Sequence, residues 1–166
     1  MLDVLARYDM RATFFVVGRA INRTTCKVLQ RMVAEGHTLG VHSYNHDVGM
    51  AVRIEGKRAV AYVQHAVTQI LIDLALIAED PDHFDRLYHC VFGADLSVYL
   101  PSSALRTERA AYAARHRALL RSYGLDDGQY AYPVLYSRPP GGKPYLRQSP
   151  AWARRLQRMR SASWGS

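Results

Sequence analysis

The stretch with the most chemical content is His42-Ser43-Tyr44-Asn45-His46. Two imidazoles four residues apart lie on one side of a helical turn, so a nitrogen from each can reach one metal ion. A metalloprotease of the His-Glu-x-x-His type would need glutamate at position 43, where this chain has serine. Taken alone, the spacing also fits two unrelated surface or core histidines. Of the seven histidines, His37, His65, His83, His89 and His116 have no comparable partner at ligand spacing and read as structural. Cys26 and Cys90 stand far apart in no paired motif, so they offer neither a disulfide framework nor a zinc-cysteine site.

The elements that must position the pair precede it. Leu2, Leu5 and Ala6 fall at helical spacing. Ala12 to Val17 is continuously apolar, β-branched and aromatic, and closes at Gly18. That pattern predicts a strand covered on both faces, as in a parallel sheet. Thr24 or Thr25 is placed to cap a helix with Val28, Leu29, Met32 and Val33 on one side, ended by Gly36. Thr38 to Val41 is a short second strand with His42 at its exit. Strand, helix and strand make a βαβ unit, expected to be right-handed. The end of such a strand is where α/β barrels place their chemistry.

The remainder reads mainly as helix. Ile54 to Ala78 is one long helical stretch, weakened by Gly56 and stopped by Pro81. Its run from Ile70 to Ala78 contains Asp73 and is too short to span a bilayer, so it predicts a buried helix. Asp80 or Asp82 caps another helix through Phe84, Leu87, Tyr88 and Val91. Pro101-Ser102-Ser103 opens a third, with Leu105, Tyr112, His116, Leu119 and Tyr123 inward and Gly124 at its stop. Tyr130 to Ser137 predicts a strand running into Arg138-Pro139-Pro140-Gly141-Gly142, by itself an ordinary turn. Ser149-Pro150 starts a last helix with Trp152, Leu156 and Met159 on one face. No internal repeat stands out, and Met1 to Arg7 lacks the basic leader and apolar core of a signal peptide.

Three segments in order carry a family resemblance. Leu2 to Gly18 looks like the first helix and following strand of the polysaccharide deacetylases, the NodB-like carbohydrate esterases. Glu35-Gly36-His37-Thr38-Leu39-Gly40-Val41-His42-Ser43-Tyr44-Asn45-His46 is similar to that family's strand lead-in and its H-[ST]-x-x-H motif. Ser137 to Gly142 is similar to its R-P-P-x-G loop. The resemblance implies an α/β fold, an incomplete distorted (β/α) barrel of the NodB-like type. Residues 1–46 and 130–150 are the family-like parts of a single partial domain, and 50–125 form a long helical insertion. It implies that His42 and His46 hold Zn2+ or a similar divalent metal, that Arg138 orients a catalytic aspartate, and that the backbone N–H of Gly141 binds the oxyanion. The implied partner is an acetylated polysaccharide, chitin-like or peptidoglycan-like, from which acetyl groups are hydrolysed.

Several family motifs have no counterpart. The aspartate-rich T-F-D-D-G motif would lie ahead of Leu2, and the aspartate-tryptophan and leucine-x-histidine segments would follow the arginine loop. Leu125-Asp126-Asp127-Gly128 resembles the first of these but follows a helix stop, which predicts a solvated turn. Two imidazoles alone should hold a metal loosely. The chain therefore reads as a truncated deacetylase with weak or no activity of its own, with self-association expected through the edge of Ala12 to Val17.

Two other readings stay open. A glycan-binding pseudoenzyme would use Tyr44, Tyr130, Tyr132 and Tyr136, which as strand tyrosines equally predict packing. A basic nucleic-acid-binding module would use the net charge of +8 and the arginines 106, 109, 115, 117, 121, 154, 155, 158 and 160. No recognised binding motif accompanies that charge, so no nucleic acid is expected.

Overall fold

The computed structural model describes residues 1–46, 58–93, 102–125, 130–138 and 140, with backbone alone for 58–63 and 102–107. The expected final helix after Ser149 lies outside these residues, as do Asp126, Asp127 and Gly141.

The N-terminal unit follows the sequence pattern closely. Helix α1 spans Leu2–Arg7, strand β1 Thr13–Val16, helix α2 Cys26–Ala34 and strand β2 Thr38–Val41. The two strands pair in parallel, from Thr13 opposite Thr38 to Val16 opposite Val41. Helix α2 ends as its glycine requires. Gly36 sits at φ 81°, a left-handed conformation that costs glycine little. Its N–H donates to Val33 O, and the next N–H, of His37, donates to Met32 O. At the other end, neither Thr24 nor Thr25 caps the helix in the usual way. Asn22 Oδ1 instead accepts from the N–H groups of Thr24 and Thr25.

Strand β1 departs from expectation. It is half-buried, with Thr13 exposed, so it is not covered on both faces. Its hydrogen-bonding partner among the described residues is β2. The segment 130–138 joins the far side of β2 through a parallel bridge between Ser137 and Val41. It is extended rather than a full strand, because backbone pairing with β2 is confined to Val41 N–H to Tyr136 O at 2.9 Å and Arg138 N–H to Val41 O at 3.0 Å.

Among the described residues, three further helices join the α/β arrangement: α3 (Arg58–Ile77), α4 (Pro81–Phe92) and α5 (Ser102–Ser122). Helix α4 starts as predicted, with the Asp80 carboxylate accepting the His83 N–H at 2.7 Å and proline in the first turn. Helix α3 is the spine of the molecule and touches α2, β2, α4 and α5. Residues 66–75 are all buried, so the apolar run is a buried helix. It packs with Leu29, Leu39, Val41, Phe84, Leu87, Val91, Phe92 and Tyr112 in one core. Burial of each large aliphatic side chain there stabilises the fold by about 1.5–3 kcal/mol. No helix among the described residues is long and apolar enough to cross a membrane.

Candidate metal centre

The two paired strands end together, and the backbone beyond them is tied down at once. The His42 N–H donates to Val16 O at 2.8 Å. Past β1, the N–H groups of Gly18 and Arg19 donate to the carbonyls of Ser43 and Tyr44 at 3.0 and 3.1 Å. This close approach needs glycine at 18. A Cβ there would stand 2.4 Å from Thr68 Oγ1 and 2.7 Å from the Tyr44 ring.

The histidine loop is not the helical turn that four-residue spacing suggested. Ser43 and His46 both adopt positive φ, 64° and 57°, conformations that cost a side-chain-bearing residue roughly 1–3 kcal/mol. The loop is held in that form from two sides. Ser43 Oγ accepts the His46 N–H at 3.0 Å, and Gln64 Oε1 accepts the N–H groups of Tyr44 and Asn45 at 3.1 and 3.2 Å. This loop brings the two rings into contact. The His42 and His46 ring centroids lie 4.9 Å apart at an interplanar angle of 64°. His42 is half-buried and His46 exposed.

The His42 ring has a defined orientation. Its Nδ1 lies 2.6 Å from the Arg138 carbonyl oxygen. A carbonyl only accepts, so Nδ1 carries a proton, and in the neutral ring the lone pair is then on Nε2. Metal-binding histidines are usually held this way, the outer nitrogen donating to a backbone carbonyl or carboxylate. Arg138 therefore reaches the site through its main chain, and its side chain is exposed.

The donor set fits two ligands of a divalent ion. Among the described residues no group of three histidine, cysteine, aspartate or glutamate side chains is gathered to hold one. A full zinc coordination sphere would need further donors.

Three of the other histidines are engaged elsewhere. His116 Nε2 lies 3.0 Å from Asp73 Oδ2, with both side chains buried. His83 Nε2 is 2.7 Å from the Tyr123 hydroxyl, and its Nδ1 accepts the Glu79 N–H. His37 Nδ1 accepts the Ala12 N–H. Burial pushes His65 below its ordinary pKa. A cavity of about 100 Å³ between α3 and α5 is lined by His116, Arg109, Arg117, Tyr112 and Tyr130 among others, and neither His42 nor His46 borders it. Burial, then the neighbouring Glu108 carboxylate, push Tyr112 at that cavity up to about 12.

The tyrosines named for a glycan platform are mostly packed. Tyr44 is buried, and its burial raises its pKa against the opposing pull of Arg19. The Tyr132 hydroxyl accepts the Leu39 N–H at 3.1 Å. Tyr136 is exposed. In α5, Arg115 is taken up by the Val91 carbonyl and the face of Tyr112.

What the sequence reading missed is the polar equipment of α3. Gln64, Gln69 and Asp73 are buried and hold the backbone of the two site-bearing segments. The available signal was polar residues recurring at helical spacing inside an otherwise apolar helix.

Residues 1–71 match the polysaccharide deacetylase family, a span that runs from α1 into α3. The chain is 43% identical over 47 residues to a bifunctional xylanase/deacetylase of Pseudobutyrivibrio xylanivorans, covering 28% of this chain and 8% of that protein. It is 37% identical over 68 residues to a chitooligosaccharide deacetylase of Sinorhizobium fredii, covering 40% and 31%. It is 39% identical over 46 residues to a peptidoglycan-N-acetylglucosamine deacetylase of Listeria monocytogenes, covering 28% and 10%. The match thus spans less than a third of each of these relatives. No solved structure matches the chain. Over residues 1–71, the chain resembles the polysaccharide deacetylase family.

Proposed function

We propose that this chain carries part of the centre of a metal-dependent polysaccharide deacetylase, acting on N-acetylated sugars of a chitin-like or peptidoglycan-like glycan within a distorted barrel of the NodB type. The observation that carries the reading is the facing pair His42 and His46, with the proton of His42 fixed on Nδ1 by the Arg138 carbonyl. Zn2+ or a similar ion fits these donors as two of its ligands. When bound, such an ion polarises an acyl carbonyl and acidifies water. His42 and His46 hold and orient it. The Arg138 side chain, exposed at the same strand mouth, is positioned to order a carboxylate that acts as base. The backbone N–H of Gly141 donates to the developing oxyanion. A third ligand and the base come from residues outside those described, so the two histidines by themselves bind metal weakly and support little turnover.

Acetate release from N-acetylglucosamine oligomers, with and without added Zn2+, tests the reading. Metal-dependent release lost in His42→Ala supports it. Tight oligomer binding without any release favours the glycan-binding alternative, for which exposed Tyr136 is the supporting feature. The outer edge of β1, unpaired among the described residues, supports self-association. Sedimentation should then show a concentration-dependent increase in mass, and a monomer at all concentrations would oppose it.

A further inference from the structure

Helix α3 buries four polar side chains in an apolar setting: Gln64, Thr68, Gln69 and Asp73. Such burial is costly unless every group is paired. Gln64 and Thr68, four residues apart, share one side of the helix, and Gln69 and Asp73, also four apart, share another. These two sides meet the two segments from which the histidine centre is built.

Gln64 Oε1 accepts from the N–H groups of Tyr44 and Asn45, the residues lying between Ser43 and His46. Thr68 Oγ1 donates to the Gln64 carbonyl at 2.8 Å. Gln69 grips the other segment, its Nε2 donating to Tyr132 O at 2.6 Å and its Oε1 accepting the Val134 N–H at 3.1 Å. The Asp73 carboxylate accepts the N–H groups of Ala131 and Tyr132, each at 2.9 Å. That segment runs to Arg138, whose carbonyl orients His42. The histidine loop and the arginine segment are thus both registered to a single helix.

We propose that Gln64 is a positioning residue for the His42–His46 centre, fixing the loop in its left-handed form, while Gln69 and Asp73 set the Arg138 segment against it. The inference rests on the metal-binding reading for its consequence, but not for its geometry. The loop holds two residues in costly conformations, and a chain relaxes from such conformations unless neighbouring groups fix them. Gln64 supplies two of those fixing bonds from a rigid, buried helix. Without its acceptor, the loop has alternatives in which the rings no longer face each other.

The test uses the full chain and the variants Gln64→Met, of similar volume but without the acceptor, and Gln64→Glu, which keeps it. Two readouts are followed: Co2+ titration by visible absorption, and amide hydrogen exchange at Tyr44 and Asn45. The Met variant should bind Co2+ about 10-fold or more weakly, as losses in the outer shell of metal sites do. Its ligand-field bands should change and the two amides should exchange faster. The Glu variant should restore all three properties. A Met variant with the wild-type affinity, spectrum and amide protection overturns the proposal. A merely structural Gln64 would lower thermal stability and leave the spectrum of the folded protein unchanged, which also overturns it. If the Met variant does not fold, a folded Glu variant that has lost Co2+ binding or amide protection overturns it, and one that keeps both supports it. A wild-type protein whose Co2+ binding is absent, or survives His42→Ala, removes the metal reading. In that case the exchange data still decide: amides freed in the Met variant and protected in the Glu variant support the hold, and unchanged exchange ends it.

Discussion

Two histidine sites in this molecule use the same side chain for opposite purposes. At the mouth of the paired strands, His42 and His46 lie in edge contact, half-buried and exposed, and among the described residues the polar contact to a ring nitrogen is that of His42 Nδ1 with the Arg138 carbonyl. Between α3 and α5, His116 is buried with its Nε2 3.0 Å from Asp73 Oδ2, and the Asp73 oxygens also take up two backbone N–H groups. The first arrangement sets two rings together at strained backbone. The second sets a ring against a buried carboxylate between helices. What a histidine does here is decided by what its nitrogens face, not by how many histidines the chain has.

Substitutions should separate the two sites cleanly. His42→Ala or His46→Ala should weaken Zn2+ binding by about 100-fold or more in calorimetry, since each removes one of two protein donors, while the thermal midpoint without metal stays near wild type. Asp73→Ala should act mainly on stability, with a smaller loss of metal affinity through the Arg138 segment. It removes the acceptor of the Ala131 and Tyr132 N–H groups and the neighbour of buried His116, costing about 3–5 kcal/mol in denaturant unfolding. Equal loss of metal affinity in His116→Ala and His42→Ala would erase the contrast.

Smaller effects sharpen it. Gly18→Ala places a methyl against Thr68 and Tyr44 and should cost about 1–3 kcal/mol by overpacking, with the histidine loop the region that moves. Asp80→Ala, remote from both sites, should lower the thermal midpoint slightly and leave metal binding alone. The His83 N–H it accepts is the main cause holding the Asp80 carboxyl below the usual range. Its contribution is therefore present above the ordinary carboxylate range and lost as pH falls through the depressed value. The gap between wild type and the variant should close in strong acid.

The N-terminal βαβ unit was legible because local signals agreed with each other. A β-branched run from Thr13, a glycine at 36 and a short apolar segment ending at His42 each mark one boundary, and the observed elements fall on them. The histidine pair was legible as a pair but not as a shape. The positive φ at Ser43 and His46 accompanies contacts of the loop with Gln64 and Gly18, which four-residue spacing cannot convey. Burial of β1 was overestimated for a related reason: an apolar run reports that a strand can be covered, not that both faces meet a neighbour. Asp73 stood out in the sequence only as an obstacle to a membrane span. Its partners lie 58 and 59 residues away at Ala131 and Tyr132, in a segment whose own pattern says strand and nothing about α3.

The most direct measurement is a crystal of the chain soaked in Zn2+, with anomalous scattering recorded at the zinc edge. One peak shared by His42 and His46, about 2.0–2.1 Å from a nitrogen of each, with His42 Nδ1 still on the Arg138 carbonyl, is the expected result. A peak on one ring alone, a peak elsewhere, or rings turned apart around separate contacts would contradict the account.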